Sequence, residues 1–135
     1  MKNRSIKEYR VILAFAFLAL STVYYRYVAI EEHETVLNDV ATIATGQPES
    51  SSLVYLNTLN EHVNLHIKID GISREQKDYK LKREMYINLT KSYVCSSEAL
   101  RFHLNLNKPV IVDLLTTNFP SGQFANIRIT AANCV

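Results

Sequence analysis

Apolar residues along this chain fall into one long unbroken run and several short patterned ones. Val11 to Tyr25 reads VILAFAFLALSTVYY, fifteen residues without a charge, and continues past Arg26 to Ile30. Twenty residues make a helix of about 30 Å, the thickness of a bilayer core. Arg26 lies near the outer end of the run, where its long stem can carry the charge to the headgroups. Tyr24, Tyr25 and Tyr27 suit a membrane interface. From Glu31 onward the pattern changes: Val36, Leu37, Val40, Ala41, Ile43 and Ala44 recur at helical spacing. This predicts a juxtamembrane helix over 31–46 that continues the apolar span and is stopped by Gly46, with Pro48 and Ser50 to Ser52 as linker.

The rest alternates or recurs in shorter pieces. Leu53 to Leu59 is expected as a strand. In Val63 to Ile69, apolar Val63, Leu65, Ile67 and Ile69 alternate with Asn64, His66, Lys68 and Asp70, as in a half-buried strand. Asn60 to His62 supply the turn between the two strands. Ser73-x-x-Gln76 has the spacing of a capping box and predicts a helical region running towards Tyr93, with Tyr79, Tyr86, Leu89 and Tyr93 on its core side. Ser96 or Ser97 caps a second short helix through Leu104. Pro109 ends it, and Val110 to Thr117 with Gln123 to Thr130 make a second hairpin around Asn118 to Gly122. The expected fold is therefore α+β: an N-terminal transmembrane helix, then a small β-β-α-β-β domain. An antiparallel sheet would carry the helical region on one face.

Charge fixes the orientation. Residues 1–30 carry Lys2, Arg4, Lys7, Arg10 and Arg26 against Glu8 alone, whereas residues 31–135 carry 10 Lys or Arg against 12 Asp or Glu. Basic residues before the apolar run and Glu31, Glu32 and Glu34 after it keep the N-terminus in the cytoplasm by the positive-inside rule. The expected layout is a cytoplasmic tail at 1–10, a signal-anchor helix at 11–30, the juxtamembrane helix at 31–46 and an exported domain at 53–135. That places the chain in a bacterial inner membrane with its domain in the periplasm. A second reading stays open: Ala19-Leu20-Ser21 has the small residues a signal peptidase requires, and cleavage would release a soluble exported protein starting at Thr22.

Cys95 and Cys134 are the only cysteines. In an exported domain such a pair reads as one disulfide, contributing about 4 kcal/mol through the loop it closes and pinning the C-terminal end.

Chemistry is sparse. The mildly acidic exported part offers no basic stripe for nucleic acid, and the run from Lys77 to Arg83, broken by Asp78, reads as a solvated helix face. His62 and His66 lie about 13 Å apart on a strand, too far to share a metal. The carboxylates form no catalytic pair, and the sequence has no phosphate loop, nucleophile elbow or zinc-protease helix. No cofactor, metal or small-molecule substrate is implied, and no enzyme. The expected partner is another envelope protein. Val110, Ile111, Val112, Leu114 and Leu115 are nearly continuous apolar sequence and are the candidate partner-binding edge, against the alternative that they are core.

The strand VNLHIKID, the segment YVCSSEALRFHL, and VIVDLLTTNF with FANIRITAANC give the order hairpin, helix ending in Cys, hairpin, Cys. Over about residues 53–134 this resembles the sheet-and-helix class of small pilotins of type II secretion. The resemblance implies an α+β envelope domain that acts by binding another protein of a secretion machine. The chain departs from those pilotins in having an apolar anchor and no lipidation cysteine. The functional expectation is a non-enzymatic, membrane-anchored accessory or assembly factor. The alternative is a periplasmic sensor or regulator acting through a membrane partner.

Overall fold

The computed structural model describes residues 6–116 and 123–134. The chain divides between His33 and Glu34 into two compact units. The first consists of most of helix α1, Ile6–Val40; the last turns of α1 belong to the second unit. There Val36 and Val40 are fully buried, followed by a 3-10 turn, Ala41–Ala44, that buries Ile43 and Ala44. The helix predicted over 31–46 is thus the end of a longer one, and it tightens before Gly46, whose φ of 79° turns the chain.

Four strands follow, with two helices between the pairs: β1 Ser50–Thr58, β2 Val63–Asp70, α2 Tyr79–Ser96, α3 Glu98–Asn105, β3 Val110–Leu115 and β4 Gln123–Ile129, closed by a second 3-10 turn at Ala131–Cys134. The fold is α+β as expected, but the sheet is mixed rather than antiparallel. Its order is β1-β2-β3-β4. The outer pairs are antiparallel and the central pair, β2 with β3, is parallel. The reason lies in the connection. A hairpin turn reverses the chain, whereas α2 and α3 carry it back across the sheet so that β3 starts where β2 starts, with Val63 opposite Val110. The Val63 amide donates to the Pro109 carbonyl at 3.0 Å, locking that start.

Alternation in the strands sorts the two faces. Val63, Leu65, Ile67 and Ile69 of β2 and Val110, Val112 and Leu114 of β3 are all fully buried. They meet Tyr86, Tyr93 and Val94 of α2, Leu100 and Leu104 of α3, and the apolar end of α1 in one core cluster. The expected tyrosine stripe is therefore core. The intervening positions of both strands are only partly buried, on the other face.

Three local expectations are corrected. Ser50 to Ser52 are strand, not linker, pairing with Asp70, Ile69 and Lys68. Ser51 explains it: its hydroxyl donates to the Val40 carbonyl at 2.7 Å and accepts from the Ala44 amide at 3.3 Å, satisfying the end of the preceding helix. Ser73 does not cap a helix; its hydroxyl accepts from the Glu75 amide in a turn, fully buried Ile72 ties that segment to the core, and α2 begins at Tyr79. The last strand ends at Ile129, where Asn133 accepts hydrogen bonds from the amide and hydroxyl of Thr130. The turn expected at 118–122 lies outside the described residues.

Candidate functional site

Cys95 and Cys134 form a disulfide, with Cα atoms 5.3 Å apart across 39 residues of sequence. Cys95 sits in the last turn of α2 and Cys134 in the 3-10 turn after β4, so the bridge ties the helical layer to the end of the sheet. Both are half-buried against the core.

The proposed partner-binding residues divide between the two faces of β3. Val110, Val112 and Leu114 are fully buried in the core; Ile111 and Leu115 lie on the opposite face, partly covered. None of them is at an edge, because β3 pairs with β2 on one side and β4 on the other. The near-continuous apolar run combines the core positions of a central strand with Ile111 and Leu115 on its other, partly covered face. The sheet's edges are β1 and β4.

On the open face, Asp113 is the hub of a cross-strand group. Its Oδ2 lies 3.1 Å from His66 Nε2 of β2, and its Oδ1 accepts from the side-chain amides of Gln123 and Asn126 of β4. The Tyr55 ring of β1 packs on His66, centroids 5.1 Å apart. With both carboxylate oxygens occupied, this group joins all four strands and offers no activated nucleophile. His62 is left in the turn before β2. Among the described residues no three His, Cys, Asp or Glu side chains are grouped to hold a metal ion.

A polar cluster within the domain was not visible in the sequence. Glu49, just before β1, has a side chain only 2% exposed. It accepts a hydrogen bond from Tyr86 Oη at 2.8 Å and pairs with Lys82, which also lies 3.8 Å from Asp78. Burial opposes the Glu49 charge, but the Lys82 and Tyr86 hydrogen bonds together outweigh it and hold the carboxyl below its ordinary value. The Glu49 hydrogen bond raises the Lys82 pKa, and burial followed by the nearby carboxylate pushes the Tyr86 phenol up. Gly71 turns the chain beside this cluster at a φ of 99°, a conformation that favours glycine. Lys82 is therefore no part of a purely solvated face, which corrects the reading of the run from Lys77 to Arg83. Its cost of burial is offset by two partners, the arrangement a buried ion pair requires. Only contact with Lys82 and Tyr86, 33 and 37 residues away, distinguishes Glu49 from an ordinary linker carboxylate.

The apolar segment of α1 presents the opposite situation. Leu13, Phe15, Phe17, Leu18, Leu20 and Val23 are all exposed. By length and composition the helix can cross a membrane. Ser21 and Thr22 turn their hydroxyls back to the Leu18 carbonyl at 2.9 and 2.7 Å, so neither needs water.

No family model and no curated protein matches the chain. A solved structure does: the chain is similar to the pilotin EpsS of the Vibrio vulnificus type 2 secretion system, with 14% sequence identity and a TM-score of 0.48 over 79% of this chain and 97% of that one.

Proposed function

We propose that this protein is a membrane-anchored, non-enzymatic accessory factor whose C-terminal domain, on the exported side, binds another envelope protein. The observation that carries the reading is the solvent-exposed apolar surface of α1 across residues 11–30, beside a domain whose own apolar residues are largely buried. Such a surface is costly in water and favourable in lipid. The disulfide suits an oxidising compartment, in keeping with the charge asymmetry across the apolar run. Within the domain, the two titratable groups with the clearest architecture, Glu49–Lys82–Tyr86 and His66–Asp113, are spent on joining elements. The order of hairpins and cysteines that resembles the pilotins points to the same kind of role.

A periplasmic regulator acting through a membrane partner is the second reading, favoured by one feature. The helix that carries the apolar segment runs unbroken to Val40, whose side chain is part of the domain core. Affinity capture of the full tagged chain from cross-linked native membranes tests both. One envelope protein recovered in near-stoichiometric amount supports the accessory reading, and a partner with a cytoplasmic signalling or DNA-binding domain shifts it to the regulator. Recovery of the chain without any second protein would overturn both.

A further inference from the structure

The two edges of the sheet are protected very differently. At β4, Phe124, Ala125, Ile127 and Ile129 are buried, Arg128 puts a charge on the strand, and Arg83 Nε donates to the Phe124 carbonyl at 2.8 Å. At β1, the residues from Ser50 to Asn60 include no charge and no proline. Its central run Leu53-Val54-Tyr55-Leu56 contains no buried residue: Val54 is 55% and Tyr55 44% exposed, and both leucines are only partly covered. Among the described residues β1 pairs with β2 alone. A long, uncharged, apolar edge is the kind that other proteins blunt with lysine or proline, because it invites another strand. Two features temper β1: a bulge at Val54, between Leu53 opposite Ile67 and Tyr55 opposite His66, and the 3-10 turn Ala41–Ala44, which meets Ser51 at the strand's start.

We propose that β1 pairs antiparallel with β1 of a second copy of this chain, joining two four-stranded sheets into one of eight strands about a two-fold axis between Val54 and Tyr55. The bulge is what makes the strand self-complementary. It places Leu53 and Leu56, opposite Ile67 and Leu65 of β2, on the core face, and Ser52 and Asn57, opposite Lys68 and Asn64, on the open face. A two-fold pairing sets residue i against j and j against i. About this axis, Leu53 meets Leu56 of the second copy on the core face and Ser52 meets Asn57 on the open face. Val54 meets Tyr55 at the centre, and Ser51 meets Thr58 towards the ends. Apolar faces apolar, polar faces polar, each core-face residue meets a core-face residue, and no charge opposes a like charge. β4 has no such symmetry, since Arg128 and the Arg83 contact lie off its centre.

The test uses the full chain purified in detergent. A photo-crosslinking amino acid at Tyr55 is expected to yield a covalent dimer whose joined peptides both contain residues 53–56, while the same probe at Arg128 yields none. Changing Val54→Lys, whose side chain is 55% exposed, sets two positive charges beside the axis and is expected to lower the dimer fraction at least tenfold in sedimentation, while a cooperative thermal transition shows that the variant still folds. If the lysine variant does not fold, the photo-crosslink map alone decides. Absence of the Tyr55 crosslink between copies, a crosslink only to a different protein, or an undiminished dimer in a folded lysine variant would overturn the proposal.

Discussion

Residues 11–30 and 34–44 lie in one helical run and are both rich in apolar side chains, yet they are built for different solvents. In the first, apolar residues occupy every side of the helix and all stay exposed. In the second they form a stripe, Val36, Val40, Ile43 and Ala44, and the stripe is buried among protein side chains while Leu37 beside it remains 46% exposed. A helix apolar all round has no face to turn to water, whereas a striped one divides its surface between core and solvent. The same side-chain chemistry therefore makes a packing contact in one stretch and, on the function proposed above, a lipid contact in the other.

That difference can be broken most severely at Val40. Val40→Asp would bury an unpaired carboxylate at a fully enclosed position, costing several kcal/mol, a large share of a small domain's stability. Loss of the cooperative thermal transition of the full chain in detergent is the expected outcome. Leu18→Asp, in the exposed segment, should leave that transition where it is and instead lower the fraction retained in membranes, since a carboxylate at the centre of a span costs about 2.5–3.5 kcal/mol. Equal melting shifts in the two variants would erase the distinction.

Next in size is the bridge. Cys95→Ser, Cys134→Ser and the double variant should each lose about 2–4 kcal/mol of stability in denaturant titrations, the double being no worse than either single change because all three delete one cross-link. The loss should be confined to the domain's transition, with membrane retention unaltered.

The bridge and the β2 strand were readable from the sequence for the same reason: both depend on local or countable features. Two cysteines allow one pairing, and Val63 to Ile69 alternate so strictly that inward and outward positions follow from one residue's orientation. What could not be read depended on how distant elements meet. Val110 to Leu115 looks like an edge until the crossover through α2 and α3 sets it beside β2 and makes it a central strand, with Ile111 and Leu115 on the outward face as expected. Ser50 to Ser52 look like linker until Ser51 is seen satisfying Val40 and Ala44. The exposed edge at β1 carries a sequence signal, eleven residues without charge or proline, but only strand order turns that signal into an edge.

A smaller effect is expected at Glu49. Its folded-state pKa lies below the ordinary 4.5, so the stability it contributes is present above that value and is lost as pH falls through the folded-state pKa. Glu49→Gln should cost about 2 kcal/mol near neutral pH, the scale of hydrogen bonds to a charged group, and should flatten the acid limb of a melting-temperature profile below pH 4.5. A parallel acid limb in the variant would assign that pH dependence to other carboxylates. Smallest of all is Ile111→Lys, on the open face of β3. It should shift stability by less than about 1 kcal/mol, whereas Val112→Lys one residue on should unfold the domain.

The central claim is that residues 11–30 remain as a membrane span with the domain on the exported side. Protease added to intact spheroplasts, followed by mass analysis of the washed membranes, tests it in one measurement. The domain is expected to be digested, and a membrane-held fragment retaining residues 11–30 to survive. A domain released in soluble form on spheroplasting, with its N-terminus at Thr22, or one fully protected from the protease, would contradict it.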